Sequence, residues 1–269
     1  MTRYEFPAHR IVGFRAPNPG PFTLSGTNSW IVGDGPAWLV DPGPALAAHI
    51  KALSAEIEGR GGLGGIALTH DHLDHAEGVG AVRARFPGTP VAAARGAVEV
   101  RLADGDRFGP LEAVAAPGHA PDHLVYVAGR AALTGDAVLG EGSVFIAPDP
   151  GALSGYLDAL TRLRGRGLDL LLPGHGPPVH DPVARLDAYI AHRLDRERKL
   201  VAALDAGARS IEEMLDAAWE DVPALLRPAA TVTLAAHLDK LADEGWLPAG
   251  VQRPSGAQVI PSQPSAPGP

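Results

Sequence analysis

The amino-acid sequence predicts an α/β domain of layered α+β type followed by a small helical domain. Short apolar runs closed by Gly or Pro recur through the first 175 residues, and helical patterns lie between some of them. Beyond "PPVHDP" (177–182) the apolar spacing becomes almost wholly helical. Strand pairs mixed with helices point to stacked layers, not to a bundle or a pure sandwich.

The strands read from the N-terminal side are "NSWIVG", "AWLVDPG", "GGIALTH", "TPVAAA", "LEAVAAPGH", "HLVYVAG", "AALTGD" and "LDLLLPGHG". Helical spacing marks "PALAAHIKALSAEIEG", "AEGVGAVRARF" and "PGALSGYLDALTRLRGRG". Residues 1–180 form the first predicted domain. Residues 181–246 form the second, with helices in "VARLDAYIAHRLDRERKLVAALDAG", "SIEEMLDAAWE" and "PAATVTLAAHLDKLADEGW". Ser210 and Glu213 make a capping-box pattern ahead of the middle helix. Three helices in so short a span suggest a winged helix-turn-helix. Residues 247–269, rich in Pro, Gly and Ser, read as a disordered tail.

The chain has 269 residues, a formal net charge of −8 and no cysteine. An acidic balance disfavours duplex nucleic acid as the main partner, because such binding rests on neutralising phosphates. Without thiols there is neither a disulfide nor a thiolate metal site, so any metal rests on His, Asp or Glu. "MTRYEFPAHR" lacks a signal-peptide apolar stretch, and no run approaches 18 apolar residues. The expectation is a cytoplasmic protein without a membrane segment.

Chemistry concentrates in "LTHDHLDHAEG", which places His70, His72, Asp74 and His75 between a strand and a helix. Imidazole and carboxylate are what borderline metals such as Zn²⁺ take when no thiolate is at hand. Four such groups from one loop crowd a single tetrahedral ion and suit two neighbouring ions. Further ligands lie at later strand ends: His119 in "APGHAPDH", Asp136 in "LTGDAVLG" and His175 in "LLPGHGPP", each preceded by Gly. A lone His is more often a surface or satisfied core residue; four such loops in succession point to a metal centre. The cofactor expected is two Zn²⁺, with Mn²⁺ or Fe as alternatives.

These motifs resemble the metallo-β-lactamase superfamily, whose HxHxDH loop stands here as "HDHLDH" and whose later motifs stand as "PGH" (117–119), "TGD" (134–136) and "PGHG" (173–176). The resemblance runs from "TNSWIV" at Thr27 to Pro178 and on into the helical domain. It implies an αββα sandwich with a binuclear site at one edge. His70, His72 and His119 would hold one ion, and Asp74, His75 and His175 the other, with Asp136 bridging. It further implies a hydrolase using a metal-bridging hydroxide, with Asp74 as the catalytic residue that ligates and orients the nucleophile. Asp41, in "LVDPG", would orient a ligating imidazole, and His123 would lend support. Asp71 reads as a solvent-exposed carboxylate, and His9, His49, His180, His192 and His237 as structural or surface residues.

Among the superfamily's branches, the absence of Cys and the retention of Asp136 argue against β-lactam hydrolysis. The nearest resemblance is to the β-lactamase-like protein 2 branch, through "PGHAPDHLVYV", "GDAVLGEGSVFIAPDPGALSGYLDALTRL" and "YIAHRLDRERKLVAAL". That branch implies a winged-helix C-terminal domain and, as substrates, acyl esters or thioesters or single-stranded RNA. A small acyl substrate is the expectation, with endoribonuclease activity as the alternative. In "PAATVTLAAHLDKLADEGW" Lys240 faces three acidic residues, which makes a DNA-binding regulator with a vestigial site the weaker reading. The basic run "HRLDRERKL" (192–200) reads as a salt-bridged solvent face.

Overall fold

The computed structural model describes residues 2–254. An antiparallel meander opens the chain: β1 (Thr2–Phe6), β2 (Ile11–Arg15), β3 (Asn28–Val32) and β4 (Ala37–Val40). Helix α1 (Ala47–Gly59) crosses over to β5 (Leu63–Ala67), which pairs parallel with β4. Short α2 (Leu73–Ala76) and α3 (Val79–Arg85) lead to β6 (Val91–Ala93), and β7 (Val100–Arg101) completes a seven-stranded sheet in chain order. The second sheet runs from β8 (Arg107–Phe108) through β9 (Leu111–Ala115) and β10 (Leu124–Ala128) to β11 (Ala131–Gly135). Helix α4 (Ala152–Arg164) then crosses to β12 (Leu170–Pro173), parallel to β11.

The period-two alternation of strand side chains divides each sheet between two cores. Trp30 and Val32 of β3, Tyr126 of β10, and Leu170 and Leu172 of β12 fill the space between the sheets. Their neighbours point the other way. Ile31 and Leu39 meet Ile50, Leu53 and Ile57 of α1. Val125, Ala132 and Leu171 meet Tyr156, Leu160 and Leu163 of α4. The outcome is helix, sheet, sheet, helix: the predicted αββα layering.

Pro182–Asp205 form one 24-residue helix, α5. Leu186 and Tyr189, in its first half, belong to the core beneath the second sheet. Leu200 and Leu204 belong to a separate core with Met214 and Leu215 of α6 (Ile211–Ala218) and Leu234, Leu238 and Leu241 of α7 (Arg227–Asp243). The boundary expected at 180/181 therefore meets the start of a helix shared by both cores. The Ser210–Glu213 capping box is present at α6.

Two expectations need correction. The disorder expected from residue 247 does not hold for the first residues of that stretch, because Leu247 and Val251 find apolar surface on the small core. The Gln252 N–H also donates to Arg209 O at 2.8 Å, and Arg253 pairs with Asp239 at 2.8 Å. Residues 255–269 of that tail lie outside the described residues. The run "HRLDRERKL" is a solvent face only in part. Asp195 does pair with Lys199 at 3.3 Å and with Arg198, but Arg193 and Arg196 are buried. Arg196 grips Asp221 with both terminal nitrogens, and Arg193 donates to Val144 O. Among the described residues, no helix is long and apolar enough to cross a membrane.

Candidate metal centre

All seven residues singled out as ligands lie where chain leaves a strand. His70 and His72 follow β5, and Asp74 and His75 sit in α2, which His72 caps with extended backbone. His119 follows β9, Asp136 follows β11 directly, and His175 follows β12. Parallel pairing of β11 with β12 and of β4 with β5 brings these ends to the same edge of the sandwich. Six of the seven are buried, and His72 is half-buried.

The side chains converge as two sets linked by a third, since ligand-type atoms of His70, His75 and Asp136 also lie within 4.8 Å of one another. The ligand-type atoms of His70, His72 and His119 lie within 4.8 Å of one another, as do those of Asp74, His75 and His175. His119 Nε2 stands 3.1 Å from His72 Nδ1, and His75 Nε2 stands 3.3 Å from His175 Nε2. Asp136 lies between the sets. Its Oδ2 faces His119 Nε2 at 3.5 Å, while Oδ1 faces His75 at 3.5 Å and His175 at 3.4 Å. Asp74 Oδ2 lies 3.2 Å from His175 Nε2.

Electrostatics divides the imidazoles. Burial would push His75 and His175 down, yet the neighbouring carboxylates win: Asp74, Asp136 and Asp41 hold His75 well above its usual value, and Asp136 helps lift His175 to about 9. Burial wins at His119, pushed down to about 4, and, with the His75 charge beside it, at His70. Burial opposes ionisation of Asp74 and Asp136, but His75 and His175 hold both carboxyls well below the usual range. The edge is thus built around positive charge.

Asp41 makes the supporting contacts. It accepts from His75 Nδ1 at 2.9 Å, from the Thr69 N–H at 2.8 Å and from the Thr69 hydroxyl at 2.7 Å. Because the Thr69 hydroxyl gives its only hydrogen to Asp41, it accepts from His70 Nδ1, 2.9 Å away. The network places a proton on Nδ1 of both His70 and His75 and turns each Nε2 toward the site. His123 acts elsewhere: its Nε2 accepts from the Asp136 N–H at 3.0 Å, and its ring stacks on His70. Sequence reasoning missed Thr69, which reads as an ordinary strand-end residue. It also missed the clamp of Asn28, whose amide donates to Pro173 O at 3.0 Å and Gly176 O at 2.9 Å, pinning the His175 loop. The other five histidines stay outside the cluster; His49, for one, is buried against Ser29 Oγ at 2.9 Å.

The residues fit a metal. His70 Nε2 is buried with no hydrogen-bond partner, a costly state that a cation relieves. A Cβ at Gly174 would stand 2.6 Å from Asp136 Oδ1 and 2.7 Å from His75 Cε1, so this cradle closes only around glycine. Donors that are all N and O, with converging imidazoles, match the preference of divalent first-row metals.

Fold and site together define a metal-dependent hydrolase. The sequence matches the model of the Metallo-beta-lactamase superfamily over residues 22–108 and 98–175, and that of the Beta-lactamase associated winged helix domain over residues 210–246. The chain belongs to the metallo-beta-lactamase superfamily. It is 30% identical over 256 residues to the Beta-lactamase-like protein 2 homolog of Caenorhabditis elegans, covering 88% of this chain and 84% of that one. It is 32% identical over 234 residues to an Atrochrysone carboxyl ACP thioesterase of Aspergillus chevalieri, covering 80% and 74%. The crystal structure of a Beta-lactamase domain protein from Burkholderia ambifaria shares the fold, with a TM-score of 0.74 at 21% identity over 93% of this chain and 91% of that one.

Proposed function

We propose that this protein is a binuclear zinc hydrolase acting on small acyl esters or thioesters. The observation that carries the reading is Asp136, whose two carboxylate oxygens face the two sets of imidazoles separately. His70, His72 and His119 would hold one cation; Asp74, His75 and His175 would hold the other. Divalent cations so held supply Lewis acidity, polarising a substrate oxygen and acidifying water at neutral pH. Zinc suits the imidazole-rich set best, with Mn²⁺ or Fe²⁺ compatible.

The chain's own residues do the rest. Asp74, whose Oδ2 accepts from the Thr27 hydroxyl at 3.3 Å, orients the attacking water. Asp41 and Thr69 keep two imidazoles aimed. His70, His75 and His175 are sealed from solvent, so the substrate approaches over half-buried His72, beside which a cavity opens.

Similarity to an acyl-carrier-protein thioesterase supports acyl transfer to water as the reaction. On the C-terminal helices a polyanion finds little to hold: Arg193 and Arg196 are buried, and the cations of α7, Arg227 and Lys240, are both ion-paired. That weighs against single-stranded RNA and against duplex DNA. The test is elemental analysis of the purified protein, followed by hydrolysis of acyl thioesters and of labelled single-stranded RNA, with His72→Ala as control. Thioester turnover that needs two metal equivalents and disappears in His72→Ala is the expected result. RNA cleavage without thioester turnover would replace this reading with an endoribonuclease.

A further inference from the structure

The cavity beside His72 and His119 has a volume of about 190 Å³. A cavity near 150 Å³ takes a benzene ring, so this one admits an acyl group of up to about eight non-hydrogen atoms. Part of its wall is apolar: Phe145 and Ala147 come from the stretch between β11 and α4, and Val232 comes from α7. The Phe145 ring also packs against His119, with centroids 4.7 Å apart. Elsewhere Asp71, Asp122 and Asp149 outnumber Arg95.

The C-terminal helices hold the stretch that carries Phe145. The Leu139 N–H donates to Tyr189 Oη at 2.9 Å, and Arg185 donates to Leu139 O at 2.8 Å and Gly142 O at 2.9 Å. Buried Arg193 donates to Val144 O, and the Ile146 N–H donates to Thr233 Oγ1 at 3.1 Å. Phe145 is therefore pinned on both sides. Committing a buried guanidinium to a carbonyl is an expensive way to gain stability alone. It does fix a backbone in place.

We propose that the C-terminal helices select the acyl group: Val232 and Phe145 set the size of the cavity, and Thr233 and Arg193 position Phe145. The substrate is then a compact acyl ester or thioester, aliphatic or aromatic, without an anionic end on its acyl part. The inference deepens the acyl-hydrolase reading and rests on it.

The experiment uses the metal-loaded full-length chain and N-acetylcysteamine thioesters of acetyl, hexanoyl, benzoyl, decanoyl and succinyl groups. Benzoate and acetate binding by calorimetry gives a second readout that needs no turnover. The wild type is expected to prefer hexanoyl and benzoyl over decanoyl and succinyl. Val232→Phe should lower the benzoyl-to-acetyl ratio of kcat/KM at least tenfold and weaken benzoate binding relative to acetate. Val232→Ala should move the optimum toward decanoyl. Thr233→Val should raise KM for benzoyl more than it lowers kcat, and Thr233→Ser should restore it. Val232 variants that scale every thioester equally and leave benzoate binding alone would overturn the proposal. A fully loaded wild type that hydrolyses no thioester would sink the acyl-hydrolase reading, and benzoate binding would still decide the cavity's role.

Discussion

Asp41 holds a backbone conformation that side-chain-bearing residues rarely adopt, with φ 51°, and Asp is among the residues that tolerate it. That turn aims its carboxylate at His75 and Thr69 together. Asp41→Asn retains the shape but trades an acceptor-only group for one that also donates, so the His75 and Thr69 contacts compete. We expect metal affinity to fall about 10- to 100-fold, read by competition with a chromogenic chelator, while circular dichroism shows a folded chain. Thr69→Val should act in the same direction through His70 alone, and more weakly. Gly174→Ala should lower metal stoichiometry, because the added methyl occupies space held by Asp136 and His75. The seven side chains of the cluster were legible because each stands at the end of a recognisable apolar run, three of them just behind a glycine. Thr69, Asn28 and Phe145 were not. Their work depends on which residue from a distant strand or helix lies opposite, and that information is absent from local spacing.

Among the elements, the eight strands read from the sequence all form, since each presents an apolar run to one core or two. Four more escaped notice for physical reasons. The apolar run of β2 is broken by Gly13. β1 buries neither face fully, and β7 and β8 are two residues long. The basic run of α5 was misjudged because a charged pattern at helical spacing does not reveal that Arg193 and Arg196 face packed neighbours. Helix α6 allows a cleaner test. Ser210 accepts from the Glu213 N–H, and Glu213 accepts from the Ser210 N–H. Ser210→Ala should cost about 1 kcal/mol in urea denaturation, with metal content intact.

Stability of the whole molecule should depend on pH through a histidine outside the ligand cluster. Burial pushes His49 down to about 4 from an ordinary value of 6.5. Between those values the unfolded chain binds this proton and the folded chain does not. Stability is therefore complete above pH 6.5 and falls as pH drops toward 4, with a slope of up to about 1.4 kcal/mol per pH unit from this group. Urea midpoints at pH 7 and pH 5 should differ less in His49→Gln than in the wild type; an equal difference would remove His49 from the account.

The shared helix α5 bears on what can be exchanged between relatives. A chimaera cut at residue 180 would carry away Leu186 and Tyr189, and with them part of the layer under the second sheet. A cut after Tyr189 keeps both residues with that layer, although Ala236 of α7 also belongs to it, and transfers Leu200 and Leu204 with the small core they belong to. The heritable cassette therefore begins in the middle of a helix, and recombination at the visible domain boundary would strip the larger domain of part of its own interior.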